Sequence, residues 1–99
     1  MYGTVMIGKL KVPFDEVVRA EKKWAEERQV PGYVRGDVLR ADDGQTIVMA
    51  VQFESKEQYV ALADDPKQDE WWRTVMAPML DGDPQWIDGV WEASDRPAA

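Results

Sequence analysis

The stretch "QTIVMAVQFESKEQYVALA", residues 45–63, contains a strand, a boundary and a helix. Strand-favouring residues run from Gln45 to Glu54, with Ile47, Met49, Val51 and Phe53 on one face and Val48 and Ala50 on the other. A strand with one wetted face alternates apolar with polar, so this one asks for cover on both sides. Ser55, followed three residues on by Gln58, forms a capping box, so "KEQYVALA" opens as a helix of about two turns.

Upstream, Asp42-Asp43-Gly44 marks a hairpin whose other arm is "YVRGDVLRA", Tyr33 to Ala41. "YGTVMIGKLKV", Tyr2 to Val12, is a further strand, closed by Pro13. From Phe14 the spacing turns helical: Phe14, Val17, Val18, Trp24 and Ala25 fall within about 120° of one another. That helix ends before Pro31-Gly32. Downstream, Asp65 caps another helix with Pro66 at its first position; it carries Trp71 and Trp72 and is stopped or kinked near Pro78. Asp81 to Pro84 make a turn, and "QWIDGVWEA" is the last strand. The order is β-α-β-β-α-β with the second helix interrupted, an α+β, ferredoxin-like pattern. Residues 1–93 read as one domain and 94–99 as a flexible tail.

The other strands repeat the two-sided pattern. Met6 and Leu10 oppose Val5 and Ile7 in the first, and Ile87 and Trp91 oppose Trp86 and Val90 in the last. Helices packed on one face leave the other uncovered, and a second copy of the same sheet is the simplest cover. A homodimer is therefore expected.

Composition narrows the chemistry. There is no histidine, cysteine or asparagine, and the only serines are Ser55 and Ser94. Thiolate chemistry, the usual zinc, copper and haem ligands, and Ser-His-Asp or Cys-His nucleophiles are thereby excluded, so no metal is expected. A net charge of −7 argues against nucleic acid. No run is long and apolar enough for a membrane span and no leader pattern opens the chain, so a soluble cytoplasmic protein without a membrane partner is expected.

On the first helix Glu21 projects into the apolar stripe, where an unpaired carboxylate costs several kcal/mol unless neutralised. Either it lines a wet pocket as a base, or it pairs with Arg28, Arg35 or Lys9. Around the later helix, Gln68, Val75, Met76 and Met79 lie within about 60° of Trp72. Trp72 is thus the inward residue of the pair. Trp71, about 100° away, is expected at the flank, against the neighbouring short helix or a partner subunit, with no bearing on a ligand.

Two stretches, "VPGYVRGDVL" (30–39) and "VMAVQFESKEQYVALADDPKQDEWW" (48–72), make the chain resemble the antibiotic biosynthesis monooxygenase family of dimeric α+β barrels over about residues 2 to 93. A Pro-Gly precedes the second strand; an aromatic-acidic-Ser run ends the third, and a broken helix follows. The resemblance implies a homodimer with a helix–sheet pocket in each protomer, and a cofactor-independent monooxygenase-like activity on, or binding of, a small aromatic, polyketide-like molecule. It also implies departures. Trp72 stands where haem-degrading members carry histidine, the asparagine of the cofactor-free oxygenases has no counterpart, and Leu62 falls near one family tryptophan. The expected site is Glu21 as base, with Trp24, Arg28, Tyr59, Gln68, Trp72 and Met76 lining the pocket and no cofactor. The alternative is a non-catalytic binding or accessory dimer.

Sedimentation at micromolar concentration should give a species of twice 11.3 kDa; a stable 11.3 kDa monomer would remove the dimer.

Overall fold

The computed structural model describes residues 1–95. Four strands, β1 (Tyr2–Lys9), β2 (Tyr33–Arg40), β3 (Thr46–Phe53) and β4 (Gln85–Val90), form an antiparallel sheet in the order β2-β3-β1-β4. Helix α1 (Phe14–Arg28) joins β1 to β2, leaving the slot between them for β3. This is the split βαβ arrangement of the ferredoxin-like fold. Between β3 and β4 lie α2 (Lys56–Ala63) and α3 (Pro66–Trp71); α3 continues as a π-helical turn, Trp72–Met76, and a 3₁₀ turn, Ala77–Met79. The anticipated break at Pro78 is thus spread over two changes of winding. Among the described residues no helix is long and apolar enough to cross a membrane.

Side-chain chemistry sets the boundaries. Ser55 accepts from the Gln58 N–H at 3.2 Å and donates to its Oε1 at 3.0 Å, so the box closes through side chains. Asp65 caps α3 through the Lys67 N–H at 2.9 Å. In the β2–β3 connection, Asp43 accepts from the N–H groups of Gln45 at 2.8 Å and Thr46 at 2.7 Å and from the Thr46 hydroxyl at 2.6 Å. These bonds hold its carboxyl down at about 2.

β1 stops at Lys9, short of the expected Val12, because β3 begins opposite it at Thr46. Beyond that point Leu10 bridges Leu80, and the Lys9 carbonyl accepts from the Asp81 N–H at 2.7 Å. β4 likewise ends at Val90; Trp91 makes one further bond, N–H to the Met1 carbonyl at 2.9 Å. Of the tail expected at 94–99, residues 96–99 lie outside the described residues.

The core lies between the sheet and the helices: Met6 and Leu10 from the β1 side, Ile47 and Met49 from β3, Val17 from α1, and Met76 and Leu80 from the segment after α3. Ala25, expected on the buried stripe, is exposed. It points about 100° from its neighbour Trp24, and the sheet side takes the tryptophan. The opposite sheet face carries the cross-strand rows Leu39–Val48–Ile7 and Ala50–Val5–Ile87, with Leu39 58% and Ile87 50% exposed. The two-sided pattern read from the strands is therefore real.

Gly3, buried in the central strand β1, leaves no room for a side chain: a Cβ there would meet the Val51 carbonyl oxygen. Gly3→Ala should cost about 1–3 kcal/mol, seen as a Tm several degrees lower. Gly89→Ala, across the strand pair where nothing lies within 4 Å, should leave Tm nearly unchanged.

Candidate functional site

Helices and sheet do not close on each other everywhere. A cavity of about 370 Å³ remains, within the range of small-molecule sites. Its floor is the sheet: Thr4 and Met6 of β1, Met49, Val51 and Phe53 of β3, and Trp86 of β4. Its walls are Glu21 and Trp24 of α1, Tyr59, Leu62 and Ala63 of α2, and Gln68, Asp69, Trp71, Trp72 and Met76 from α3 and its continuation.

Both members of the tryptophan pair reach it. Trp71 packs against Trp24 of α1 at 6.0 Å between ring centroids, and Trp72 against Trp86 of β4 at 5.0 Å. The expectation that Trp71 stands apart from ligand chemistry is overturned. Winding changes from α to π between the two residues, so the regular helical wheel does not describe them. Two local features favour the change. Thr74 donates its hydroxyl to the Glu70 carbonyl at 2.8 Å, and Pro78 has no N–H to return to the preceding turn.

Most polar groups around the cavity are already engaged. The Tyr59 hydroxyl donates to Asp88 at 2.9 Å, tying α2 to β4; burial above all, with the Asp88 contact, pushes it up to about 12. The Thr4 hydroxyl donates to the Ile87 carbonyl at 3.3 Å, and Asp69 accepts from Arg73 at 2.9 Å. The Trp24 indole N–H donates to Gln68 Oε1 at 2.8 Å.

Glu21 differs. Its three candidate partners are otherwise placed: Arg28 binds Asp65 at 3.1 Å, Arg35 binds Asp37 through two contacts of 2.9 and 3.0 Å, and Lys9 makes no ion pair with it among the described residues. Burial pushes the Glu21 carboxyl above its ordinary 4.5, with no cation opposing the shift. Among the described residues no buried side-chain oxygen or nitrogen lacks a hydrogen-bond partner, so the unbonded Glu21 carboxyl is not sealed from solvent; the side chain lines the cavity, and its Oε1 lies beside Gly36 of β2.

No protein-family model and no curated protein matches the chain. Solved structures do. A monooxygenase from the ActVA-Orf6 gene of Streptomyces coelicolor, in complex with nanaomycin D, superposes with a TM-score of 0.75 at 21% identity, covering 98% of this chain and 92% of that one. SnoaB, a cofactor-independent oxygenase from Streptomyces nogalater, gives 0.77 at 14% identity over 94% of each chain. A dimeric ferredoxin-like protein from an uncultured marine organism gives 0.63 at 15%, covering 98% of this chain and 100% of that one. This chain shares the fold of solved antibiotic biosynthesis monooxygenases.

Within that monooxygenase fold, the residues read from sequence divide clearly. Glu21, Trp24, Tyr59, Gln68, Trp72 and Met76 share the cavity. Arg28 does not line it: its guanidinium is drawn to the Asp65 cap, joining α1 to α3. Trp71, Trp86, Phe53 and Met49 line it without having been singled out. Alternation in β4 put Trp86 and Ile87 on opposite faces, but only the pairing Met6↔Trp86 shows which faces the helices.

Because the folded-state pKa of Glu21 is raised, the folded protein holds its proton more tightly than the unfolded chain does. Glu21 costs nothing below about pH 4.5, and stability falls as pH rises through its raised value. Glu21→Gln should therefore have a higher Tm than wild type at pH 7, the gap closing as pH falls below 4.5. A lower Tm at pH 7 would indicate a lost ion pair.

Proposed function

We propose that this protein is a homodimeric member of the antibiotic biosynthesis monooxygenase family. On this reading it takes a small aromatic, polyketide-like molecule into the tryptophan-lined pocket and oxygenates it without a cofactor. The observation that carries the proposal is Glu21: a carboxyl without an ion-pair partner, raised by burial, on a residue that lines a cavity walled by Trp24, Trp71, Trp72 and Trp86. A raised pKa brings a carboxylate closer to the range where general-base catalysis at neutral pH is efficient.

The chemistry follows from that pairing of base and aromatic box. Glu21 removes a proton from a ring methylene conjugated through the aromatic rings with a carbonyl, in anthrone the carbon across the central ring, and the carbanion is delocalised onto the carbonyl oxygen. Electron-rich carbon then reduces dioxygen; one oxygen atom enters the substrate as a new carbonyl and the other leaves as water. The four indoles present apolar surface to the carbanion and flat faces to a planar ring. The neighbours with this fold include a cofactor-independent oxygenase and a monooxygenase crystallised with nanaomycin D, which supports the substrate class.

The dimer is supported by the apolar rows on the uncovered sheet face and by the dimeric ferredoxin-like neighbour. Packing two such faces together would bury Leu39 and Ile87, which a single chain leaves in water.

A second reading keeps the pocket and removes the chemistry. It is favoured by the absence of asparagine and by Leu62, which lines the cavity near the position of a family tryptophan. Anthrone under air separates the two. The enzyme reading expects turnover above buffer that falls about 10²–10⁴-fold in Glu21→Gln while anthrone affinity is retained. Tight binding with no turnover in wild type would establish the binding module instead.

A further inference from the structure

The indole of Trp24 does more than fill space. An indole N–H donates and cannot accept, so its 2.8 Å contact settles the orientation of the Gln68 amide: Oε1 faces Trp24. Nε2, with its two hydrogens, is turned away. Among the described residues nothing accepts from Nε2, and none of their buried side-chain nitrogens or oxygens lacks a partner. Nε2 is therefore an open atom, on a residue that lines the cavity. The Tyr59 and Thr4 hydroxyls, by contrast, already have acceptors in Asp88 and the Ile87 carbonyl.

The cavity is thus lined by a carboxyl residue on α1 and, on α3, by an amide whose oxygen is held by Trp24 and whose donor nitrogen is unengaged. We propose that Gln68 Nε2 donates to a carbonyl oxygen of the bound molecule, and that Trp24 is the positioning residue holding this donor toward the ligand. The site then selects an aromatic ketone over a hydrocarbon of the same shape. This rests on reading the cavity as an aromatic-ligand site. When Glu21 takes a proton from the methylene across the ring from that carbonyl, charge moves by conjugation to the oxygen, and a hydrogen bond to an oxyanion is stronger than one to the neutral ketone. No reorientation of Gln68 is needed at that moment, because Trp24 has already set it.

A matched pair of ligands tests the assignment. Anthrone and 9,10-dihydroanthracene share a tricyclic frame and differ by one carbonyl; their affinities are read anaerobically from tryptophan fluorescence. Relative to wild type, the anthrone-to-hydrocarbon affinity ratio should fall about threefold to tenfold in Gln68→Met, the loss of one hydrogen bond. Gln68→Glu, which keeps an acceptor for Trp24 but loses the donor when ionised, should lower it similarly. Trp24→Phe, which keeps a ring but removes the N–H, should also lower it. An unchanged ratio in both Gln68 variants overturns the donor role. A ratio lost in the Gln68 variants but kept in Trp24→Phe overturns the positioning role. Wild type that binds both compounds equally sinks the inference but leaves the pocket reading standing; wild type that binds neither removes the pocket reading, and the inference with it.

Discussion

A four-stranded sheet apolar on both faces, in a chain of 99 residues, is the constraint from which the rest follows. Each face needs cover, and the chain has only α1, α2 and the α3 segment to provide it. All three go to one side, where Val17, Met76 and Leu80 meet Met6, Ile47 and Met49. The other side keeps its apolar rows at the surface, where water contact costs roughly 25 cal/mol per Å² of apolar area that a partner would remove.

On the covered side, three short segments do not seal a sheet as two long helices would. α2 has 8 residues and α3 has 6, and their junction leaves the gap that becomes the cavity. Aromatic contacts hold its rim together. Trp24 sits 5.1 Å from the Tyr33 ring edge-on and 6.0 Å from Trp71, and Phe53 bridges Tyr33 and Tyr59 at 5.8 and 5.6 Å. Such pairs contribute about 0.5–1.5 kcal/mol each beyond their buried area, so one aromatic cluster ties five elements together. Arg28–Asp65, half-buried, adds a direct tie from α1 to the start of α3.

Glu21 stands out on the covered side: it lines the cavity, and among the described residues no ion pair holds its carboxyl. A leucine at that position would fit the stripe better and remove a desolvation cost. The π-helical turn is a second departure, and it borders the same cavity, beginning at Trp72 directly after Trp71.

By itself the sequence determined the element order, both helix caps, the two-sided strands and the odd position of Glu21, because each is written in spacing over a few residues. Helical periodicity likewise brought out Gln68, Trp72 and Met76. Only the tertiary structure decided the rest. Arg28 was free to reach Glu21 on α1, yet its guanidinium is claimed by Asp65, 37 residues away. Trp86 entered the site through its register with Met6, and Trp71 through a change of helical winding that periodicity assumes away. The orientation of the Gln68 amide came from Trp24, 44 residues distant. Local pattern fixes which way a side chain leaves its own element; what it meets there depends on pairings between elements, and those are contacts the spacing of one segment does not encode.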